Sequence, residues 1–166
     1  MDMLTLRNTV VRSLHDYLQR PVVLSDQAVP EADMPYAYYQ PVQPYMPIGG
    51  AELRYSGGTL TRSEHIEATI SFVACSADHT VDGAAVYGDN DALALADRML
   101  GWFSHVGRSF LRGHGIAVVE CGNVQNRMAI EIDEVARRYG FDVRLRYVHS
   151  DAVPMPSVVD GTINMT

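Results

Sequence analysis

His65 and Glu67 stand two residues apart in an alternating run. That spacing sets an imidazole and a carboxylate on one side of an extended chain, where both could ligate a metal if Asp78 or His79 folded back to join them. A histidine and a glutamate on a solvent face are more often only that, so a small cytoplasmic metal-dependent enzyme stands as the alternative reading. Asp89, Asn90 and Asp91 could bind calcium, but as the cap and acidic first turn of a following helix they need no ion. Gly113-His114-Gly115 could offer backbone amides to an anion, and equally ends a helix and begins a strand. No nucleophile elbow, phosphate-binding loop, dinucleotide fingerprint or zinc-protease motif occurs. Cys75 and Cys121 lie in no metal-ligand spacing and end apolar runs, as buried thiols do. The expectation is a protein without catalytic residues, metal or cofactor.

The element that must organise the chain is the stretch 138–149. Tyr139, Phe141, Val143, Leu145, Tyr147 and His149 fall on one side of an extended chain; Arg138, Gly140, Asp142, Arg144, Arg146 and Val148 fall on the other. A helix would scatter these residues and bury guanidinium groups, so the spacing predicts a long strand with an apolar and a charged face. Arg138, Asp142, Arg144 and Arg146 are either solvated or paired with acidic groups of a neighbouring copy, where arginine gives oriented bidentate contacts.

Around it, residues 4–19 place Leu4, Leu6, Val10, Val11, Leu14, Tyr17 and Leu18 at helical spacing, ended by Arg20-Pro21. Residues 22–24 make a short buried strand, and 36–40 are the part of the following stretch that reads as strand. Between 30 and 47 five prolines interleave with Tyr36, Tyr38, Tyr39 and Tyr45, marking an edge or loop. Gly49-Gly50 and Gly57-Gly58 bracket residues 51–56, so 43–63 reads as a Gly/Pro-rich arm, too long for a mere connector. Its tyrosines either pack the loop or grip a soluble partner. Residues 65–75 alternate as a second long strand, and 76–88 read as a polar loop. A helix carries Ala92, Leu95, Ala96, Met99, Leu100 and Phe103, with a break before Val106, Phe110 and Leu111. Residues 116–120 form a buried strand, 128–136 an extended segment, and 158–165 a last edge strand.

The predicted fold is one α+β domain over 1–166, in the order α-β-β-β-α-β-β-β, with a mixed sheet covered on one face by two helices. The third strand, second helix and 116–120 strand should form a right-handed parallel crossover, and the other pairs should be antiparallel. With 13 basic residues, all arginine, against 20 acidic ones, the net charge is −7. That argues against a general nucleic-acid coat or a binder of anionic membranes. No apolar run approaches a membrane span and no secretion signal opens the chain, so a cytoplasmic site of synthesis is expected.

Pro35-Tyr36-Ala37-Tyr38-Tyr39, Gly115-Ile116-Ala117-Val118 and the closing segment 137–147 follow one another as in a known family. The chain resembles the tail terminator, or neck, proteins of tailed bacteriophages over most of its length. The resemblance implies a structural virion protein, made in the host cytoplasm, that forms a homo-oligomeric ring, typically a hexamer. The ring ends the tail tube, meets the tube protein and the head–tail connector, and passes genomic DNA without reading its sequence. Another head–tail joining protein fits the same pattern. The resemblance brings no catalytic residues. It implies subunit contacts through the arm (Tyr45, Arg54, Tyr55) and the 158–165 edge (Val159, Ile163), beside Arg138, Asp142, Arg144 and Arg146. An acidic lumen would let phosphates slide.

Overall fold

The computed structural model of the chain describes residues 1–25, 34–127 and 136–155. The extended segment expected at 128–136 and the edge strand expected at 158–165, with Val159 and Ile163, lie outside them but for Ala136.

Helix α1 (Met3–Leu18) forms because Leu6, Val10, Leu14 and Leu18 recur every fourth residue, and all four are buried. Asp2 caps it, its side chain accepting the Thr5 N–H at 2.7 Å, and Gln19 ends it in the left-handed region at φ 54°. The buried stripe is narrower than the spacing predicts: Leu4 and Tyr17 face outward, and Tyr17 lies under the Arg98 guanidinium at 5.7 Å. The hydrogen bonds from Thr5 hold the Asp2 carboxyl below its usual pKa. A folded-state pKa below the unfolded one contributes stability above the unfolded value, lost as pH falls through the folded one. Asp2→Asn keeps the cap but not the charge, so its melting temperature is expected to decline less than that of the wild type between pH 5 and pH 3.

Strand β1 (Val22–Leu24) pairs with β2 (Tyr36–Ser56) in parallel, Val23 opposite Tyr38. The expectation of antiparallel pairing fails here because the chain between 24 and 36 is long enough to return before pairing. β2 is also far longer than the 36–40 strand expected. Its prolines are tolerated because, beyond Tyr39, its outer edge has no partner strand among the described residues, so no ladder bond is lost there. The register with β3 (Thr59–Ser76) slips between Pro41 and Gln43, between Gln43 and Met46 and between Ile48 and Glu52, at the prolines and at Gly49-Gly50. Gly57 and Gly58, at φ +57° and +75°, make the two-residue turn that requires both positive angles.

The sheet order is β1-β2-β3-β8-β6, with β7 (Gln125–Asn126) also against β8. β3 and β8 (Arg137–Pro154) pair antiparallel without a register shift, from Ser76 opposite Arg137 to Thr59 opposite Pro154. β6 (Ala117–Cys121) pairs β8 antiparallel, so β3 and β6 run the same way but are not neighbours. The expected crossover between adjacent strands is thus corrected: β8, apolar on one side along its middle, takes the place between them.

The expected polar loop 76–88 contains a small hairpin, β4 (His79–Val81) and β5 (Ala84–Val86), turned by Asp82 and Gly83 at φ 50° and 79°. Helix α2 (Gly88–Gly101) begins one residue before the expected cap. Tyr87 is its N-cap and makes no side-chain capping bond; Asp89 and Asp91 sit in the first turn. The Gly88 N–H is instead satisfied by Asp78 Oδ1 at 2.8 Å. A π-helical turn (Trp102–Val106) and α3 (Arg108–Gly113) follow. The break falls where the spacing puts it, but the stretch beyond it is a third helix, so the expected two-helix cover is corrected to three helices among the described residues.

Ile66, Ala68, Ile70 and Phe72 of β3 and Phe141, Val143, Leu145 and Tyr147 of β8 share one core with the buried faces of α1, α2 and the π-helical turn. Phe103 is its centre, 4.9 Å from the Phe72 ring and 4.8 Å, edge-on, from Trp102. Tyr139 ties the sheet to α2 by donating to Asp89 Oδ1 at 2.8 Å, which raises the phenol's pKa.

Candidate interaction surface

The side of β3 and β8 turned away from this core carries the charges the alternation set apart. Arg146 donates to Glu67 Oε1 from Nη2 at 2.6 Å and from Nε at 3.1 Å. Arg144 lies 3.6 Å from the other Glu67 oxygen and donates to Glu120 at 2.5 Å. Arg127 bonds Ser71 and, at 2.8 Å, Asp142. Arg138 also has its interactions within the chain. The charged row is therefore laced together inside one molecule. The Arg144 and Arg146 side chains nevertheless remain 40% and 46% exposed, whereas Glu67 is 7% exposed beneath them.

That inequality sets the energetics. An exposed arginine that loses its carboxylate turns to water, but a buried carboxylate that loses its arginine cannot. Glu67→Gln is expected to cost about 1 kcal/mol and Arg146→Ala about 2 kcal/mol in urea unfolding. The reverse order would show that Glu67 is not dependent on Arg146.

Past the helices, β2, β3 and β8 continue together as a three-stranded ribbon. At its base Tyr45 donates to Glu64, which lifts the phenol's pKa, and Arg62 holds the other Glu64 oxygen at 2.8 Å. Opposite Glu64, His149 pairs with Asp151 at 2.9 Å and meets Tyr45 edge-to-face at 5.9 Å. Further out, register places Tyr55, Leu60 and Val153 in one row and Leu53, Arg62 and Asp151 in the next. Leu53, Tyr55, Val153 and Met155 are all exposed. The opposite face holds Glu52, Arg54, Ser56, Thr61 and Ser63 around a shallow polar hollow. The core side of the sheet thus continues, beyond the layer that covers it, as a ribbon face with charged Arg62 and Asp151 nearer the core and an apolar Tyr55, Leu60 and Val153 row further out, while the other face is polar.

A second feature lies on the helical side: an open cleft of about 830 Å³ between α1 and α3, lined by Asn8, Val11, Arg12, Asp16, Val22, Phe110 and His114, among others.

The residues singled out for chemistry do not assemble. Glu67 is held by arginines, Asp78 caps α2, and His79 bonds the Ala77 carbonyl and stands 3.8 Å from Asp91. Neither folds back to His65 and Glu67, and no group of three or more metal-ligating side chains occurs among the described residues. The amides of His114 and Gly115 are spent on the Leu111 and Arg112 carbonyls, so they do not form an anion cradle. The cleft is not legible in the sequence, because it needs α1 and α3 to lie side by side, and β8 runs past the expected end at 149 to Pro154.

What the described surface offers is contact area and oriented charge, the equipment of a structural protein. The chain belongs to the phage neck terminator proteins: the model of that family matches residues 8–166. Among curated proteins none matches the chain. No helix among the described residues is long and apolar enough to cross a membrane.

Proposed function

We propose that copies of this chain form a closed ring, a hexamer, at the head-proximal end of the phage tail. The ring ends the tail tube, receives the head–tail connector and lets the genome pass. The family match over residues 8–166 carries this reading. The ribbon supports it, with an apolar row (exposed Tyr55 and Val153 on either side of Leu60) and an outer β2 edge lacking a partner strand among the described residues, since such edges and faces are usually covered in the assembled state. Arg138, Asp142, Arg144, Arg146, Tyr45, Arg54 and Tyr55 are the described interface residues in this proposal. The net charge of −7 suits a passage through which DNA slides, because carboxylates repel phosphates where arginines would hold them. The ring's work is geometric, and no chemical step is assigned to it.

Electron microscopy of particles made without the protein tests the proposal. Tails of abnormal length and heads without tails are the expected result. Normal tails joined to heads would contradict it.

A further inference from the structure

We infer that the ribbon of one copy seats its β2 edge in the α1/α3 cleft of the next copy, with Glu52 and Arg54 facing Arg12 and Asp16. The inference rests on the ring proposed above and names the contact that closes it.

Four charges motivate it. Glu52 and Arg54 are exposed and carry no side-chain hydrogen bond or ion pair among the described residues; the same holds for Arg12 and Asp16. Two residues apart on a strand, Glu52 and Arg54 are spaced by about 6.6 Å. Four apart on α1, Arg12 and Asp16 are spaced by about 6 Å. The signs are complementary: an acid then a base on the strand, a base then an acid on the helix. Two matched pairs fix both the direction and the register of a strand lying along a helix.

The alternation of the same strand supplies the apolar half. When Glu52 and Arg54 turn to the α1 wall, Leu53 and Tyr55, 64% and 55% exposed, turn the other way. The cleft meets them with Val22 and with Phe110, itself 43% exposed. The β2 edge can enter because no strand covers it beyond Tyr39 among the described residues. Donor and receiver are different surfaces of one chain, so the contact is head-to-tail. Such contacts repeat around a ring when the rotation closes and give filaments when it does not. A second copy is therefore the occupant that the charges select.

The test uses assembled particles. In virions built with a chain carrying Leu53→Cys and Phe110→Cys, mild oxidation is expected to give a ladder of linked copies on a non-reducing gel, with little from either single variant. In parallel, Glu52→Arg with Arg54→Glu is expected to lower incorporation by roughly tenfold. Adding Arg12→Glu and Asp16→Arg should restore most of it. All four sites are exposed, so the variants should melt with the wild type. If the charge variants unfold early, the cross-link alone decides. No ladder, or incorporation indifferent to the reversals, in particles that still hold several copies would overturn this contact and leave the ring standing. A single copy per wild-type particle would overturn the ring itself.

Discussion

Phe103→Ala is expected to be among the most destabilising single substitutions in the chain. Phe103 is fully buried, with its ring 4.9 Å from Phe72, 4.8 Å from Trp102 and 6.2 Å from Phe141. These partners come from β3, the π-helical turn and β8. Removing the ring therefore opens a cavity where the helical layer meets the two central strands. Truncating a buried phenylalanine costs about 3–5 kcal/mol, because the lost transfer energy adds to a void that the surroundings only partly fill. For a domain of this size that corresponds to a fall in melting temperature of about 10 °C. Thermal unfolding by circular dichroism measures it. A fall of only a degree or two would mean that the helices do not rest on the sheet as described.

Gly140→Ala tests the sheet from its other side. A Cβ at Gly140 would stand 2.6 Å from the Phe72 carbonyl oxygen, 2.8 Å from Val73 Cγ2 and 3.0 Å from Arg127 Cδ. The arginine can swing away, but the carbonyl belongs to a strand held in unbroken register with β8. Relief requires moving one strand relative to the other, at about 2–3 kcal/mol. Arg127 would shift with it, loosening its contact with Asp142 on the charged face. Gly50 is the control: a Cβ there meets nothing within 4 Å, so Gly50→Ala should stay within about 0.5 kcal/mol of the wild type. Equal effects at the two positions would contradict the close approach of β3 and β8 at Gly140.

Periodicity alone locates the parts of this fold whose side chains sort by face. The strand at 138–149 is legible because Phe141, Val143, Leu145 and Tyr147 alternate with charged neighbours, and all four are buried. The same holds for α1, and for the break before Val106, where the structure has a π-helical turn. Pairing is less legible, because alternation shows which face a residue takes but not which strand lies alongside. Hence the parallel β1–β2 pair and the insertion of β8 between β3 and β6 could not be read from residue types. Proline in 36–56 was misleading, since its cost depends on whether the edge is paired. Asp82-Gly83 is a readable hairpin turn inside the stretch whose polarity predicts a loop. Gly140 was readable too, as a strand glycine marking a close backbone approach.

The charged face shows a different limit. Arg144 and Arg146 stand out as a row seeking acidic partners, and Glu67 and Glu120 supply them from adjacent strands of the same molecule. Residue types do not say whether a complementary charge comes from the same chain or from the next. Charges left unmatched once the fold is known bear on that question more directly, and Glu52 and Arg54 on the ribbon and Arg12 and Asp16 on α1 are among them.

An asymmetric reconstruction of the neck in intact virions tests the central claim most directly. Several copies of the chain closed into a ring around the DNA, between the tail tube and the connector, are expected. A lone copy at the neck, or copies placed elsewhere in the particle, would contradict the account.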